Sequence, residues 1–157
     1  MPSQLDKIDR LILNALQQDG RLSNVQLAGK VGLSESACLR RVKLLEQSGI
    51  IDGYTMMVNQ ARAGFPGNVF VRVSLERQTE ENLNRFAERV QSVPEVMECY
   101  LMSGDVDFMI RVVVEDAADY ERIHHRLTRL PGVARVHTSF ALRTILKRTS
   151  LPLASAR

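Results

Sequence analysis

Apolar residues recur every three to four positions in the first third of the chain and every two positions over much of the remainder. The first spacing is that of helices with one buried stripe, the second that of strands with one buried face. Ile8, Leu11, Ile12, Ala15 and Leu16 predict a helix from about Asp6 to Gln18, ended by Asp19-Gly20. Val25, Leu27, Ala28 and Val31 mark a second helix, and Cys38, Val42 and Leu45 a third. Ser23 is followed three residues on by Gln26, the pattern of a capping box, with Leu22 and Leu27 placed to staple the helix start. Gly32 closes that helix, and Ser34 is a ready N-cap for the next. Two helices joined by about three residues that include glycine are the mark of a helix-turn-helix. Ile50, Ile51 and Tyr54, around Asp52-Gly53, predict a short extended exit that packs on the helices.

Between Asn59 and Asn68 the run QARAGFPG is small, non-periodic and rich in Gly and Pro, as a linker would be. Beyond it, Val69, Val71, Val73 and Leu75 alternate with Phe70, Arg72, Ser74 and Glu76, which predicts a strand. A helix at Leu83, Phe86, Ala87 and Val90 follows, then a break at Pro94 and a strand from about Val96 to Met102. After a turn at Gly104-Asp105, a strand runs through Phe108, Ile110, Val112 and Val114. Tyr120, Ile123, Leu127 and Leu130 mark a further helix, and Pro131-Gly132 precedes a last strand from Val133 to Ala141. The two halves superimpose at an offset of 37 residues: Val71 falls on Phe108, Phe86 on Ile123, Pro94 on Pro131 and Val96 on Val133.

A doubled βαβ with a tight central link is the ferredoxin-like sandwich. The fold class expected is therefore α+β. A helix-turn-helix (winged-helix-like) domain would occupy residues 1–58 and a linker 59–67. A ferredoxin-like βαββαβ domain would span 68–142, leaving a tail at 143–157. Helices cover one face of such a sheet, so the other needs a cover of its own.

Charge changes the picture by where it sits. The net charge is +3, but residues 1–60 contribute only +1, residues 61–141 contribute −2, and residues 142–157 contribute +4. Neither predicted domain is broadly basic, so a nucleic-acid partner must be met by charge placed locally on one helix. On the third helix, Ser36, Ala37, Arg40, Lys43 and Gln47 lie opposite the apolar set. Residues early in a recognition helix reach base edges, and later basic ones hold phosphates. Glu35, Ser36, Ala37 and Arg40 are assigned to base reading, with Arg40 on a guanine. Arg41, Lys43, Ser23 and Asn24 are assigned to the DNA backbone. Spacing alone leaves a second reading open, in which Arg40, Arg41 and Lys43 are simply a solvated helix face.

Elsewhere the chemistry is sparse. Cys38 and Cys99 sit in apolar periodic segments and read as core residues in a reducing compartment, which makes the cytoplasm the expected address. Neither a cleavable leader nor a membrane-spanning stretch is predicted. His124, His125 and His137 lack a partner at metal-ligand spacing, so no metal is expected. No nucleophile motif or phosphate loop suggests an enzyme or a bound cofactor. Gly104-Asp105-Val106-Asp107 reads, on its residues, as good turn chemistry in which Asp107 caps the loop.

The stretch LDKIDRLILNALQQDGRLSNVQLAGKVGLSESACLRRVKLLEQSGIIDGY resembles the DNA-binding domain of the Lrp/AsnC (feast/famine) regulators. SGDVDF resembles that family's Gly-Asp-x-Asp turn, and LPGV with HTSFALRTILKRTSLPL its closing strand and tail, so the likeness runs from about Leu5 to Leu153. The first half is most similar to the leucine-responsive branch. One departure is Ser34-Glu35-Ser36-Ala37, where many members carry Ser-Pro-Thr-Pro; an acidic Glu35 repels phosphate, so no operator carries over.

The resemblance implies a homo-oligomeric transcription regulator of amino-acid metabolism, built from dimers into an octamer and acting on double-stranded DNA at the nucleoid. It implies a small amino-acid effector held between dimers at Gly104, Asp105, Val106 and Asp107, with Tyr100, Met102 and Thr138 on the pocket wall. In that role turn amides would receive the carboxylate and an Asp side chain the ammonium. Two other readings stay open: a DNA-wrapping architectural protein without a ligand, and a small ferredoxin-like enzyme with a helical accessory domain.

Overall fold

The computed structural model describes residues 5–153 of the 157-residue chain. It divides into two compact units, one formed by residues up to Met57 together with those from Ile145 onward, the other by Val58–Thr144.

The first unit holds three helices, α1 (Lys7–Gln18), α2 (Asn24–Val31) and α3 (Glu35–Gln47). Each starts where a side chain relieves the unpaired amides of the first turn. Ser23 accepts from the Gln26 N–H while the Gln26 side chain accepts from the Ser23 N–H, which completes the anticipated capping box. Asp6 and Asp9 build a second such box at α1. Gly32 takes the left-handed backbone that ends α2, with φ of 70°, and Ser34 then caps α3. Ile12, Leu13, Leu27, Ala28, Val31, Cys38 and Leu45 close one core, with Ile50 and Ile51 packed against it. Beyond them the exit segment forms no strand within the chain.

The residues from Ile145 onward do not stand apart as the predicted tail. Residues 150–153 lie along α1, held by side-chain amides that copy a strand's hydrogen bonding. The Leu151 N–H donates to Gln17 Oε1 at 2.6 Å, and Gln17 Nε2 donates back to the Leu151 carbonyl at 3.2 Å. Asn14 Nδ2 donates to the Leu153 carbonyl at 3.1 Å, and the Leu153 side chain packs against the helical core.

In the second unit the order is β1 (Gly67–Leu75), α4 (Glu80–Val90), β2 (Val96–Leu101), β3 (Phe108–Val114), α5 (Ala117–Thr128) and β4 (Val133–Phe140). The sheet order is β2-β3-β1-β4 with every neighbour antiparallel, as the 37-residue repeat requires of a ferredoxin-like fold. Val69, Val71 and Val73 of β1 register with Val112, Ile110 and Phe108 of β3, and these six bury against α4 and α5 through Phe86, Val90, Ile123 and Leu127. The alternate residues form an open face with two cross-strand rows. One row is Ser139, Phe70, Arg111 and Glu98; the other is His137, Arg72, Met109 and Tyr100.

The predicted linker is more ordered than its composition suggests. The Asn59 side chain accepts from the Arg62 N–H, and Gln60 Nε2 bridges the Phe65 and Gly67 carbonyls, so residues 60–64 form a tight turn leading into β1.

Candidate nucleic-acid interface and effector turn

The exposed side of α3 carries Glu35, Ser36, Arg40 and Lys43, while Ala37 is half-buried beside them. Cys38 and Leu45 turn inward and hold the helix against its neighbours. Arg40 and Lys43 form no ion pair among the described residues, so both cations are available to an anionic partner. Asn24 Nδ2 donates to the Glu35 carbonyl at 2.8 Å, tying the start of α2 to the first residue of α3. That bond fixes the angle at which α3 is presented. Ser23 spends its lone pair on the cap and keeps its hydroxyl proton to donate.

Arg41 was assigned to the DNA backbone from its place in the basic run, and the structure turns it the other way. Its Nη1 donates to Asp6 Oδ2 at 2.6 Å and to Asp9 Oδ1 at 2.8 Å, across to the capping box of α1. One guanidinium therefore clamps the recognition helix to the first helix, and its charge is largely neutralised there. The Asp9 backbone N–H first, and the Arg41 guanidinium second, hold the Asp6 carboxyl below the usual carboxylate range. The apolar stripe puts the helix start near Asp6, but neither the Asp6–Asp9 box nor its partner 32 to 35 residues away is read from it.

The Gly104–Asp107 turn joins β2 to β3 as the sequence predicts. Met102 N–H donates to the Asp107 carbonyl at 2.8 Å, closing it, and Gly104 adopts a φ of 121° that side-chain-bearing residues avoid. Gly104 and Asp105 are exposed, and Val106 is half-buried. Asp107 departs from the expectation of a carboxylate open to an ammonium. It is 5% exposed, its Oδ2 accepts from the Leu75 N–H at 2.7 Å, and its own N–H donates to the Val73 carbonyl. Its side chain stitches the turn to the end of β1.

The expected pocket walls separate in the same way. Tyr100 is exposed on the open face with its hydroxyl on Glu98 Oε2 at 3.1 Å, and Met102 is exposed beside the turn. Thr138 instead shares the helix-covered face with Val71 and hydrogen-bonds the Tyr120 hydroxyl. It is removed from the other candidates because its register with Val71 places it inward. His124 packs edge-on against Tyr120, and no group of three or more metal-ligating side chains occurs among the described residues.

A capped helix-turn-helix with a free basic face, joined to a ferredoxin-like domain, is the architecture of a DNA-binding regulator. A winged helix-turn-helix DNA-binding family matches residues 5–52, and the Lrp/AsnC ligand binding domain matches residues 68–151. The chain is 47% identical over 152 residues to the Bkd operon transcriptional regulator of Pseudomonas aeruginosa, covering 96% of this chain and 99% of that one. It is 40% identical over 148 residues to the leucine-responsive regulatory protein of Escherichia coli, covering 94% and 90%. A transcriptional regulator of Neisseria meningitidis, solved as its L-Met complex, superimposes with a TM-score of 0.90 at 36% identity over 96% of this chain and 97% of its own. The chain belongs to the Lrp/AsnC family of DNA-binding transcription regulators. It is a regulator and not an enzyme.

Proposed function

We propose that this chain controls genes of amino-acid metabolism as a dimer-based assembly whose hold on operator DNA responds to a small amino acid. The observation that carries the reading is the combination of unpaired Arg40 and Lys43 on α3 with an exposed Gly104-Asp105 turn. On the DNA side, Arg40 meets a guanine edge, Ser36, Ala37 and Glu35 line the same groove, and Lys43 with the Ser23 hydroxyl meets phosphate. Arg41 and Asn24 position α3 rather than touch the duplex.

On the effector side, the Gly104, Asp105 and Val106 amides receive a carboxylate, Asp105 faces the ammonium, and Asp107 holds the turn in shape. Tyr100 on β2 and Met102 just after it flank the turn. The L-Met complex of the Neisseria meningitidis relative supports an amino acid as the ligand class. A second copy of the chain covers the open sheet face, and dimers associate further around the turn. Since its partner is DNA, the protein works in the cytoplasm at the nucleoid; no helix among the described residues is long and apolar enough to cross a membrane.

The mechanism requires the amino acid to bind one assembly state better than another, because a ligand shifts an equilibrium only by its differential affinity. Calorimetry with each of the amino acids, beside fluorescence anisotropy on genomic duplexes recovered with the protein, tests this. Heat with at least one amino acid and a changed DNA affinity in its presence are expected. DNA binding with a silent amino-acid screen overturns the sensing role and leaves an architectural protein.

A further inference from the structure

The helix-turn-helix unit has a charge problem that its helices do not solve. Residues 1–57 hold seven Lys/Arg against six Asp/Glu, and one of the seven, Arg41, is occupied by two of those acids, Asp6 and Asp9. Duplex binding is dominated by phosphate neutralisation, so a unit with a net charge near +1 is poorly supplied for it. Residues 145–153, which belong to the same unit, add Lys147 and Arg148 and not one acid. Most of the net positive charge of the DNA-binding unit therefore arrives on a segment far from the recognition helix in sequence.

Lys147 and Arg148 are placed as an anchored arm. Just after them, Ser150 Oγ donates to the Gln17 carbonyl, and Leu151 exchanges two hydrogen bonds with the Gln17 side chain. Thr149 lines the same surface groove as Arg21 and the exit segment Gly53–Met57, next to the helical core. Both cations are exposed, and among the described residues neither forms an ion pair or a hydrogen bond. Two adjacent unpaired cations tethered to α1 carry less ordering cost on meeting a phosphate than the same charges on a free chain.

We infer that Lys147 and Arg148, fixed to α1 through Gln17, form a second, sequence-independent contact of the helix-turn-helix unit with DNA phosphates. The contact lends affinity and leaves discrimination to α3.

The test compares wild type with Lys147→Gln/Arg148→Gln by anisotropy on a recovered genomic duplex and a scrambled duplex of equal length, over about 50–200 mM NaCl. The slope of log affinity against log salt should become shallower by roughly two for each protomer engaged, since each phosphate contact contributes about 0.9. Affinity should fall by the same factor on both duplexes. Gln17→Ala/Asn14→Ala, which keeps both charges and removes the side-chain bonds to Leu151 and Leu153, should also weaken binding severalfold on both. Circular dichroism melts confirm that each variant is folded. An unchanged slope in Lys147→Gln/Arg148→Gln overturns the arm, and unchanged affinity in Gln17→Ala/Asn14→Ala overturns its anchoring. Failure of the wild-type protein to bind any duplex would instead strike the DNA-binding reading itself.

Discussion

Neighbouring residues of one basic run do different work here, and their partners decide which. Arg40 points to solvent unpaired, while Arg41 is bound by two carboxylates. Arg40→Ala should weaken cognate DNA by about 1–3 kcal/mol and relax discrimination at one base pair. Anisotropy on the cognate site and on a guanine-substituted site reads both effects, and an equal loss on the two would move Arg40 to the backbone set. Arg41→Ala should lower the stability of the first unit and leave discrimination intact. The Asp6 carboxyl is held below its unfolded value, so its stabilising contribution is full above the unfolded pKa of about 4 and is lost as pH falls through the lower folded value. The acid limb of stability should therefore flatten in Asp6→Asn, a comparison made by denaturant melts between about pH 2 and 6. Asp107 makes a separate case in the second unit. Asp107→Ala leaves the buried end of β1 without its acceptor and should cost about 1–3 kcal/mol, while Asp107→Asn keeps an oxygen for the Leu75 N–H and should cost less. If the alanine variant melts with the wild type, the carboxylate does not hold the turn.

Local devices set the elements, and local devices are what a sequence displays. The Ser23–Gln26 box, the Gly32 end of α2, the Ser34 cap and the two-residue alternation of β1 all act within a few residues, so each was legible. The 37-residue repeat even ordered the strands, because two copies of one βαβ unit interlock in few ways. Ser23→Ala should remove about 1 kcal/mol from the first unit, read as a lower melting temperature with unchanged secondary structure. What stayed hidden depends on contacts between distant residues. Arg41 and Asp6 are 35 positions apart, and Gln17 and Leu151 are 134 apart. The chain from Ile145 on carries no periodic pattern, since its order comes from the amides of Asn14 and Gln17 rather than from burial of an apolar face. The direction of Thr138 followed from strand register alone, and a single sequence gives register only where one face is clearly apolar.

At the scale of the whole molecule the unfinished surface is the open face of the sheet. Phe70, Met109 and Tyr100 interleave there with Arg72, Arg111 and Glu98, a mixture suited to an interface with a polar frame rather than to an interior. Arg111 is already pinned, donating to Glu98 Oε1 at 2.7 Å and to Asn68 Oδ1 at 3.0 Å, so this pair of charges is ordered before any partner arrives. Phe70 lies in the middle of β1 between β3 and β4 and is 41% exposed in the single chain, which makes it the natural centre of a contact between copies. Phe70→Glu should be tolerated by the fold, because the core of the second unit lies on the opposite face. In the assembly it would bury an unpaired carboxylate opposite its own symmetry mate. Sedimentation velocity should then show monomer for the variant and, on the proposed assembly, dimer or larger for the wild type. DNA affinity should drop steeply with it, since paired recognition helices bind two half-sites about one helical turn apart and a single one does not. A Phe70→Glu protein that sediments and binds as the wild type does would place the interface elsewhere on the chain.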